Sequence, residues 1–364
     1  MINITLVAGA RPNFMKIAPI LQAIQNKKNI GEKINFRLVH TGQHYDKKMS
    51  GDFFEQLKIP EPDINLEAGG GTQAEQTAAI MVAFEKELVA NRPDLVIVVG
   101  DVTSTLACAI TAKKLVIDVA HVEGGIRSGD MSMPEEVNRI VTDSITDHFF
   151  TTSEVANKHL LSVGVAENRI HFVGNTMIDT LLYHQDRFIS PVGEMFEDLE
   201  QKKYFVLTIH RPANVDGEHQ LKALIDAILI GTGDFPVIFP VHPRTAKNLE
   251  KIGISHPRLR IVEPLSYLEF NFLVKNAKGV ITDSGGITEE ASVMNIPCIT
   301  MRKNTERPET VTLGTNELIG TEPSNLKEPL ERLLNGDWKT YQGIPLWDGK
   351  SAQRIVDKII EIYS

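Results

Sequence analysis

Leu95-Val96-Ile97-Val98-Val99-Gly100-Asp101-Val102-Thr103 decides the fold. Five consecutive apolar residues, mostly β-branched, make a strand buried on both faces, because a strand with one wet face would alternate. Such strands belong to parallel sheets covered by helices. The run ends at a glycine and an aspartate, and a helix-length segment, Thr103–Leu115, follows. The same succession recurs along the chain. Strands are expected at Ile4–Val7, Phe36–Val39, Val119–His121, His148–Thr151 and Ile170–Val173, then at Phe205–Thr208, Pro236–Phe239, Leu259–Val262, Gly279–Thr282, Pro297–Thr300 and Glu317–Ile319. Helical segments such as Gln73–Asn91 separate them. Alternating strands and helices make a doubly wound α/β fold. The alternation runs twice, interrupted near Leu181–Lys202 by a charged, strand-poor stretch that reads as helical. Two Rossmann-like domains with a cleft between them are therefore expected, residues 1–180 and 181–345, with a closing amphipathic helix in 346–364 that carries Ile355, Val356, Ile359, Ile360 and Tyr363 at helical spacing.

Composition narrows the function. The chain has 364 residues, 42% hydrophobic and 23% charged, with a net charge of -9. That is ordinary globular usage without the basic face a nucleic-acid binder needs. No apolar run reaches the roughly 20 residues that span a bilayer, so no membrane partner is expected. The first residues, Met1-Ile2-Asn3-Ile4-Thr5, read as a strand rather than a signal peptide, and a cytoplasmic location follows as the expectation. Cys108 and Cys298 lie in apolar surroundings and read as buried small hydrophobes, with no disulfide or metal pattern.

In open parallel sheets ligands bind beyond the carboxyl ends of the strands, and here those positions are polar. The first strand leads into Gly9-Ala10-Arg11-Pro12-Asn13-Phe14-Met15-Lys16. Arg11 and Lys16 place cations at a helix N-terminus, against its dipole, and a bound anion would relieve that conflict. The absence of a G-x-G-x-x-G run argues against a nicotinamide dinucleotide. Asp101 reads equally as a helix cap or a catalytic carboxylate. In His121-Val122-Glu123-Gly124-Gly125-Ile126-Arg127, Glu123 is either functional or the ion-pair partner of Arg127, and its strand follows that of Asp101 in sequence, so the two side chains are expected to converge. In Pro134-Glu135-Glu136-Val137-Asn138-Arg139, Glu135 and Arg139 have the spacing of an exposed helical ion pair. His210-Arg211 and His242-Pro243-Arg244 repeat a histidine–arginine pattern after successive strands, which suggests an anion-facing site. Asp283-Ser284-Gly285-Gly286-Ile287-Thr288-Glu289-Glu290 leads a strand into a helix whose N–H groups, with the Ser284 hydroxyl, can cradle a diphosphate. Glu290 is then placed to reach ribose hydroxyls. Arg302, Lys303 and Arg307 add cations after the next strand.

As an ordered set, Gly9-Ala10-Arg11-Pro12 with Lys16, Gly100-Asp101, His121-Val122-Glu123, Pro134 to Arg139, Gly174-Asn175-Thr176, His210-Arg211, Asp283-Ser284-Gly285-Gly286 and Thr305-Glu306-Arg307-Pro308-Glu309 resemble the non-hydrolysing UDP-N-acetylglucosamine 2-epimerases across nearly the whole chain. The resemblance implies the glycosyltransferase-B fold, a homodimer, and reversible conversion of UDP-GlcNAc to UDP-ManNAc without NAD or a metal. UDP leaves C1, a proton leaves C2 to give 2-acetamidoglucal, and both return with C2 inverted. By this resemblance Asp101, Glu123, Glu135 and His210 are the catalytic set. Arg11, Ser284, Gly285 and Gly286 hold the diphosphate, Glu290 the ribose and Phe270 the uracil, and Lys16, Arg139, His242 and Arg307 complete the substrate site. Two stretches depart from many bacterial members: Gln43-His44-Tyr45-Asp46 replaces a Gln-His-Arg stretch, and His210-Arg211-Pro212-Ala213 replaces His-Arg-Arg-Glu. Both belong to the family's activating UDP-GlcNAc site, so substrate activation is expected to be weak or altered. A modified sugar such as UDP-2,3-diacetamido-glucuronic acid, hydrolysis to free ManNAc, glycosyl transfer on the same fold and a non-catalytic UDP-sugar sensor are the competing readings.

Overall fold

The computed structural model describes residues 1–42, 56–241 and 243–364. Gln43-His44-Tyr45-Asp46 and His242 lie outside the described residues, as do the side chains of Arg11, Pro212, Ala213 and Arg244. The chain divides into two compact units, Met1–Tyr183 with Pro345–Ser364, and His184–Ile344.

In the first unit the described residues form a seven-stranded parallel sheet of β1 (Ile2–Ala8), β2 (Ile34–His40), β3 (Ile64–Asn65), β4 (Leu95–Val99), β5 (Asp118–Val122), β6 (His148–Thr151) and β7 (Ile170–Phe172), in the order β3-β2-β1-β4-β5-β6-β7. Connecting helices include α1 (Arg11–Asn29), α2 (Gln73–Ala90), α3 (Thr103–Lys114), α4 (Pro134–Ile145), α5 (Glu154–Ser162) and α6 (Thr176–His184). All five residues of β4 are buried, as its continuous apolar run requires. The order reverses at β1/β4, which is where open α/β sheets place ligands. The two-residue β3 is too short to leave an alternation or an apolar run, so it is not legible from sequence.

The second unit repeats the pattern with six parallel strands, β8 (Phe205–Thr208), β9 (Val237–Pro240), β10 (Leu259–Val262), β11 (Gly279–Thr282), β12 (Cys298–Thr300) and β13 (Asn316–Leu318), ordered β10-β9-β8-β11-β12-β13. Its switch point lies at β8/β11. Helices α7 (Pro212–Val215), α8 (Glu218–Gly231), α9 (Pro243–Lys251), α10 (Tyr267–Asn276), α11 (Gly285–Val293), α12 (Pro308–Thr312) and α13 (Lys327–Leu334) accompany it. The connector between the units is not the helix its charge pattern suggested. Helix α6 ends at His184, a 3-10 turn covers Gln185–Arg187, and no regular helix follows before β8. Pro191 and Gly193 sit where a helix would have to continue, and each breaks one.

The last helix, α14 (Ser351–Tyr363), packs on the first unit and buries Ile355, Val356 and Ile359. Asp179 caps it by accepting from the Ser351 and Ala352 N–H groups at 3.1 and 2.7 Å, and Trp347 donates to the Thr152 carbonyl at 3.0 Å. Gly174 has φ +96, and a Cβ there would collide with the Leu346 carbonyl. This glycine is therefore fixed by the returning tail. Both cysteines are buried, and burial pushes their thiols up, that of Cys298 to about 12. No helix among the described residues is long and apolar enough to cross a membrane.

Candidate active site

At the switch point of the first unit, three strand ends are tied together. Asn13 is buried just inside α1; its Oδ1 accepts from Gly9 and Ala10 N–H at 3.2 and 3.0 Å, and its Nδ2 donates to the Val99 carbonyl at 3.0 Å. One side chain thus closes the β1–α1 turn and binds it to the end of β4. The sequence offered Asn13 within its motif but nothing that revealed this task.

Lys16 points inward rather than toward a free anion. Its Nζ lies 2.8 Å from Glu123 Oε2, with only 3% of the glutamate side chain exposed. Arg127, the partner considered for Glu123, pairs instead with Asp143 at 2.6 Å. Glu123 itself has φ +71, the left-handed region that costs an L-residue bearing a Cβ roughly 1–2 kcal/mol. Strain of this kind persists where the surroundings over-determine the backbone, and it clusters at functional sites. The surroundings here are specific. Glu123 N–H donates to the Phe150 carbonyl at 2.9 Å. A Cβ on Gly124 would come within 2.9 Å of Phe149, and one on Gly125 within 2.5 Å of the Ala156 carbonyl. These glycines admit close packing behind Glu123 rather than clearing space in front of it.

Asp101 does not cap α3, whose N-cap is Val102. Its carboxylate receives Arg139 Nη2 at 2.5 Å, and its carbonyl receives Asn138 Nδ2 at 2.8 Å. The convergence of the β4 and β5 ends is visible at Gly100, where a Cβ would sit 3.2 Å from Lys16 Nζ and 3.9 Å from Glu123 Oε2. Arg139 also donates to Glu136 at 2.7 Å, and so it pairs with Asp101 and Glu136 rather than with Glu135. Arg139 is buried, and its guanidinium supports the Asp101 carboxylate. Glu136 also accepts from the N–H groups of Ser128 and Gly129, both at 2.9 Å. Burial raises its carboxyl, but these donors and Arg139 outweigh that and leave it below the usual range. Glu135 remains half-buried on the same helix.

The second unit is organised by a residue the sequence analysis quoted without assigning: Asp283. It is fully buried at the end of β11 and gathers the loop after β8. It accepts from His210 N–H at 3.0 Å, Arg211 N–H at 2.9 Å and Asn214 Nδ2 at 2.9 Å, and His210 Nδ1 lies 2.8 Å away. Burial raises the Asp283 carboxyl, and the contacts with His210, Asn214 and Arg211 outweigh it, so the group stays below its ordinary range. The His210 side chain is 62% exposed. Its Nδ1 is tied to Asp283, which sets the ring orientation and leaves Nε2 for a ligand.

Helix α11 begins at Gly285 with Ser284 as N-cap, and no side-chain hydrogen bond from Ser284 closes the helix. A Cβ on Gly286 would meet nothing within 4 Å. The open backbone and the uncommitted hydroxyl form an N-terminal anion site. Glu290 is buried on the same helix and accepts from Tyr267 Oη at 2.9 Å. Burial, with Glu289 nearby, raises its carboxyl to about 7 against the opposing hydrogen bonds of Tyr267 and Asn271. Phe270, on α10, is partly buried against the core. The expected excess of positive charge after β12 is largely neutralised: Arg302 makes two 2.7 Å bonds to Glu306, and Arg307 pairs with Glu289. A buried guanidinium without such a partner would be expensive, and a count of cations in the sequence cannot reveal the pairing.

Known proteins resemble this chain along nearly its whole length. The family model described as UDP-N-acetylglucosamine 2-epimerase matches residues 25–360. A Methanocaldococcus jannaschii protein named UDP-N-acetylglucosamine 2-epimerase is 42% identical over 97% of this chain and 98% of its own length. A Pseudomonas aeruginosa relative, named UDP-2,3-diacetamido-2,3-dideoxy-D-glucuronate 2-epimerase, is 36% identical over 99% of this chain and 100% of its own. The crystal structure of Methanocaldococcus jannaschii UDP-GlcNAc 2-epimerase in complex with UDP-GlcNAc and UDP superposes with a TM-score of 0.85 at 40% identity, covering both chains fully.

Proposed function

We propose that this chain, which belongs to the UDP-N-acetylglucosamine 2-epimerase family, epimerises UDP-GlcNAc at C2 reversibly, by elimination and re-addition of UDP. The observation that carries the proposal is the joining of the β1, β4 and β5 ends, where Lys16, Glu123 and the Gly100–Asp101 turn meet. The C2 hydrogen has no adjacent carbonyl and is not acidic. Departure of UDP from C1, taking the bonding electron pair, leaves an oxocarbenium-like centre that acidifies C2–H. A carboxylate then takes that proton, giving 2-acetamidoglucal. Return of a proton to the opposite face of C2 and of UDP to C1 completes the inversion.

Asp101, Glu123 and Glu135 are the acid–base and charge-stabilising groups in this scheme. The ion pairs of Glu123 with Lys16 and of Asp101 with Arg139, which hold both carboxylates in defined positions, support these roles. His210 assists UDP departure, with Asp283 orienting its ring. The start of α11 holds the diphosphate, Glu290 the ribose and Phe270 the uracil, with Arg11 and His242 contributing positive charge. A homodimer is proposed on the same resemblance, and Val82, Val89, Val137 and Ile140 expose apolar surface on α2 and α4 for it.

The deciding experiment is proton NMR of UDP-GlcNAc with the purified protein in deuterated water, without added cofactor. Deuterium at C2 and an equilibrium mixture with UDP-ManNAc are expected. Free ManNAc would replace the reversible scheme with a hydrolysing one. An unchanged UDP-GlcNAc spectrum, with UDP binding shown separately, would favour the modified glucuronate acted on by the Pseudomonas aeruginosa relative, as its name states.

A further inference from the structure

His121 lies on β5, two residues before Glu123, and is fully buried. Its Nδ1 is 2.7 Å from Asp143 Oδ1, and its Nε2 is 2.8 Å from the Gly100 carbonyl oxygen. A carbonyl oxygen only accepts, and so does an ionised carboxylate. Asp143 is ionised on the geometry. Its Oδ2 receives Gly125 N–H at 3.0 Å and Arg127 Nη1 at 2.6 Å, while Oδ1 faces His121. Either neutral tautomer of His121 would aim a ring lone pair at an oxygen lone pair at hydrogen-bond distance. Only the doubly protonated ring satisfies both contacts.

The consequence reaches Asp101. On α4, Arg139 and Asp143 are four residues apart and share a face. Arg139 holds the Asp101 carboxylate, Asn138 holds the Asp101 carbonyl, and Asp143 acts through His121 on the Gly100 carbonyl. Gly100 has φ +70, and its N–H donates to the Val122 carbonyl at 3.0 Å. The Gly100–Asp101 peptide is therefore gripped from one helix at three points, and His121 is the link that passes through the sheet. We propose that His121 is a permanent buried imidazolium whose two N–H groups tie Asp143 to the Gly100 carbonyl, and that it is a positioning residue for Asp101.

The positioning half of this proposal rests on the epimerase reading, and the charge half does not. Both are tested on the full-length protein. Long-range proton–nitrogen spectra of histidine-labelled protein, with His121 assigned by its loss in His121→Asn, are expected to show both ring nitrogens protonated from pH 7 to pH 9. A neutral-tautomer pattern in that range overturns the buried imidazolium. In kinetics, His121→Asn keeps at most one of the two bonds, and kcat is expected to fall about a hundredfold, the size of effect that a misplacement near 1 Å produces. KM for UDP-GlcNAc and UDP affinity should change little, a split that general loss of fold would not give. A folded variant with undiminished kcat overturns the positioning role. Should His121→Asn not fold, His121→Gln takes its place in the kinetics, and the wild-type spectrum, assigned by sequential labelling, still decides the charge. Wild-type protein that shows the doubly protonated ring but does not epimerise UDP-GlcNAc would refute the reaction assigned above while supporting the imidazolium.

Discussion

Glu290 offers the most quantitative test of the site. Its carboxyl is fully buried and raised from 4.5 to about 7, first by burial and then by Glu289, against the hydrogen bonds of Tyr267 and Asn271. At about 1.4 kcal/mol per tenfold change in acidity, ionising it in the folded chain costs about 3 kcal/mol more than in the unfolded one. The sign follows from proton counting. Between pH 4.5 and about 7 the folded chain holds a proton that the unfolded chain has lost, so stability falls as pH rises through that window. Below pH 4.5 both states are protonated and nothing is lost. Glu290→Gln replaces the carboxyl with a neutral amide that still accepts from Tyr267, and it lacks this slope. The variant is therefore expected to be more stable than wild type at pH 8, relative to pH 4.5, by about 3 kcal/mol. Urea unfolding of both proteins without UDP, at the two pH values, measures the difference directly. UDP affinity should fall in the same variant, because ribose hydroxyls donate better to a carboxylate than to an amide. A stability difference that does not change with pH would refute the reasoning, since it would mean that Glu290 ionises in the folded chain as freely as in water.

Four further substitutions probe the remaining geometry. Glu123→Gln is expected to abolish turnover and C2 deuterium exchange while leaving UDP affinity nearly intact; a large loss of UDP affinity in calorimetry would assign Glu123 to binding instead. Arg139→Lys keeps the charge but not the fork that reaches both Asp101 and Glu136, so kcat should drop by roughly a hundredfold with little change in melting temperature, and near-normal kcat would count against the clamp. Two glycine substitutions should act in opposite ways. Gly286→Ala meets open space and should fold with unchanged or slightly raised stability while weakening UDP binding, whereas Gly125→Ala, at φ +82 and 2.5 Å from the Ala156 carbonyl, should destabilise the first unit by roughly 2 kcal/mol or more. Thermal unfolding and UDP titration separate them, and a Gly286→Ala protein that binds UDP as wild type would remove the start of α11 from the diphosphate site.

The strands were legible because a run such as Leu95–Val99 carries its environment in its composition: apolar on both faces means covered on both faces. The candidate carboxylates were legible for a related reason, since polar residues directly after buried strands are costly to keep without a purpose. What sequence could not supply was partnership. Lys16 and Glu123 are 107 positions apart and Arg139 and Asp101 are 38 apart, and no local spacing predicts either pair. Local spacing misled where it was used, giving Arg127 to Glu123 and Arg139 to Glu135. The two-residue β3 and the irregular connector after His184 were missed for a different reason, because neither carries a period.

Those pairings alter how the cations of this chain should be understood. From sequence, each arginine or lysine after a strand looks like a free clamp for a phosphate. In the structure Lys16, Arg139, Arg302 and Arg307 are each paired with a largely buried or partly buried carboxylate. Desolvation makes an unpaired guanidinium or ammonium expensive in such positions, and a carboxylate partner offsets that cost before any substrate arrives. The same partners fix where the cation stands, so its geometry does not depend on a ligand. In the proposed site, positive potential for a diphosphate then comes chiefly from groups that cannot be neutralised in this way, the N–H groups at the start of α11. In the first unit the logic is inverted: the cation serves the carboxylate. Lys16 holds Glu123 and Arg139 holds Asp101 in defined positions, and a carboxylate that must take a proton from a weakly acidic carbon has to be in place before the proton becomes available. Lys16 and Arg139 are thus better explained by the placement of carboxylates than by anion binding.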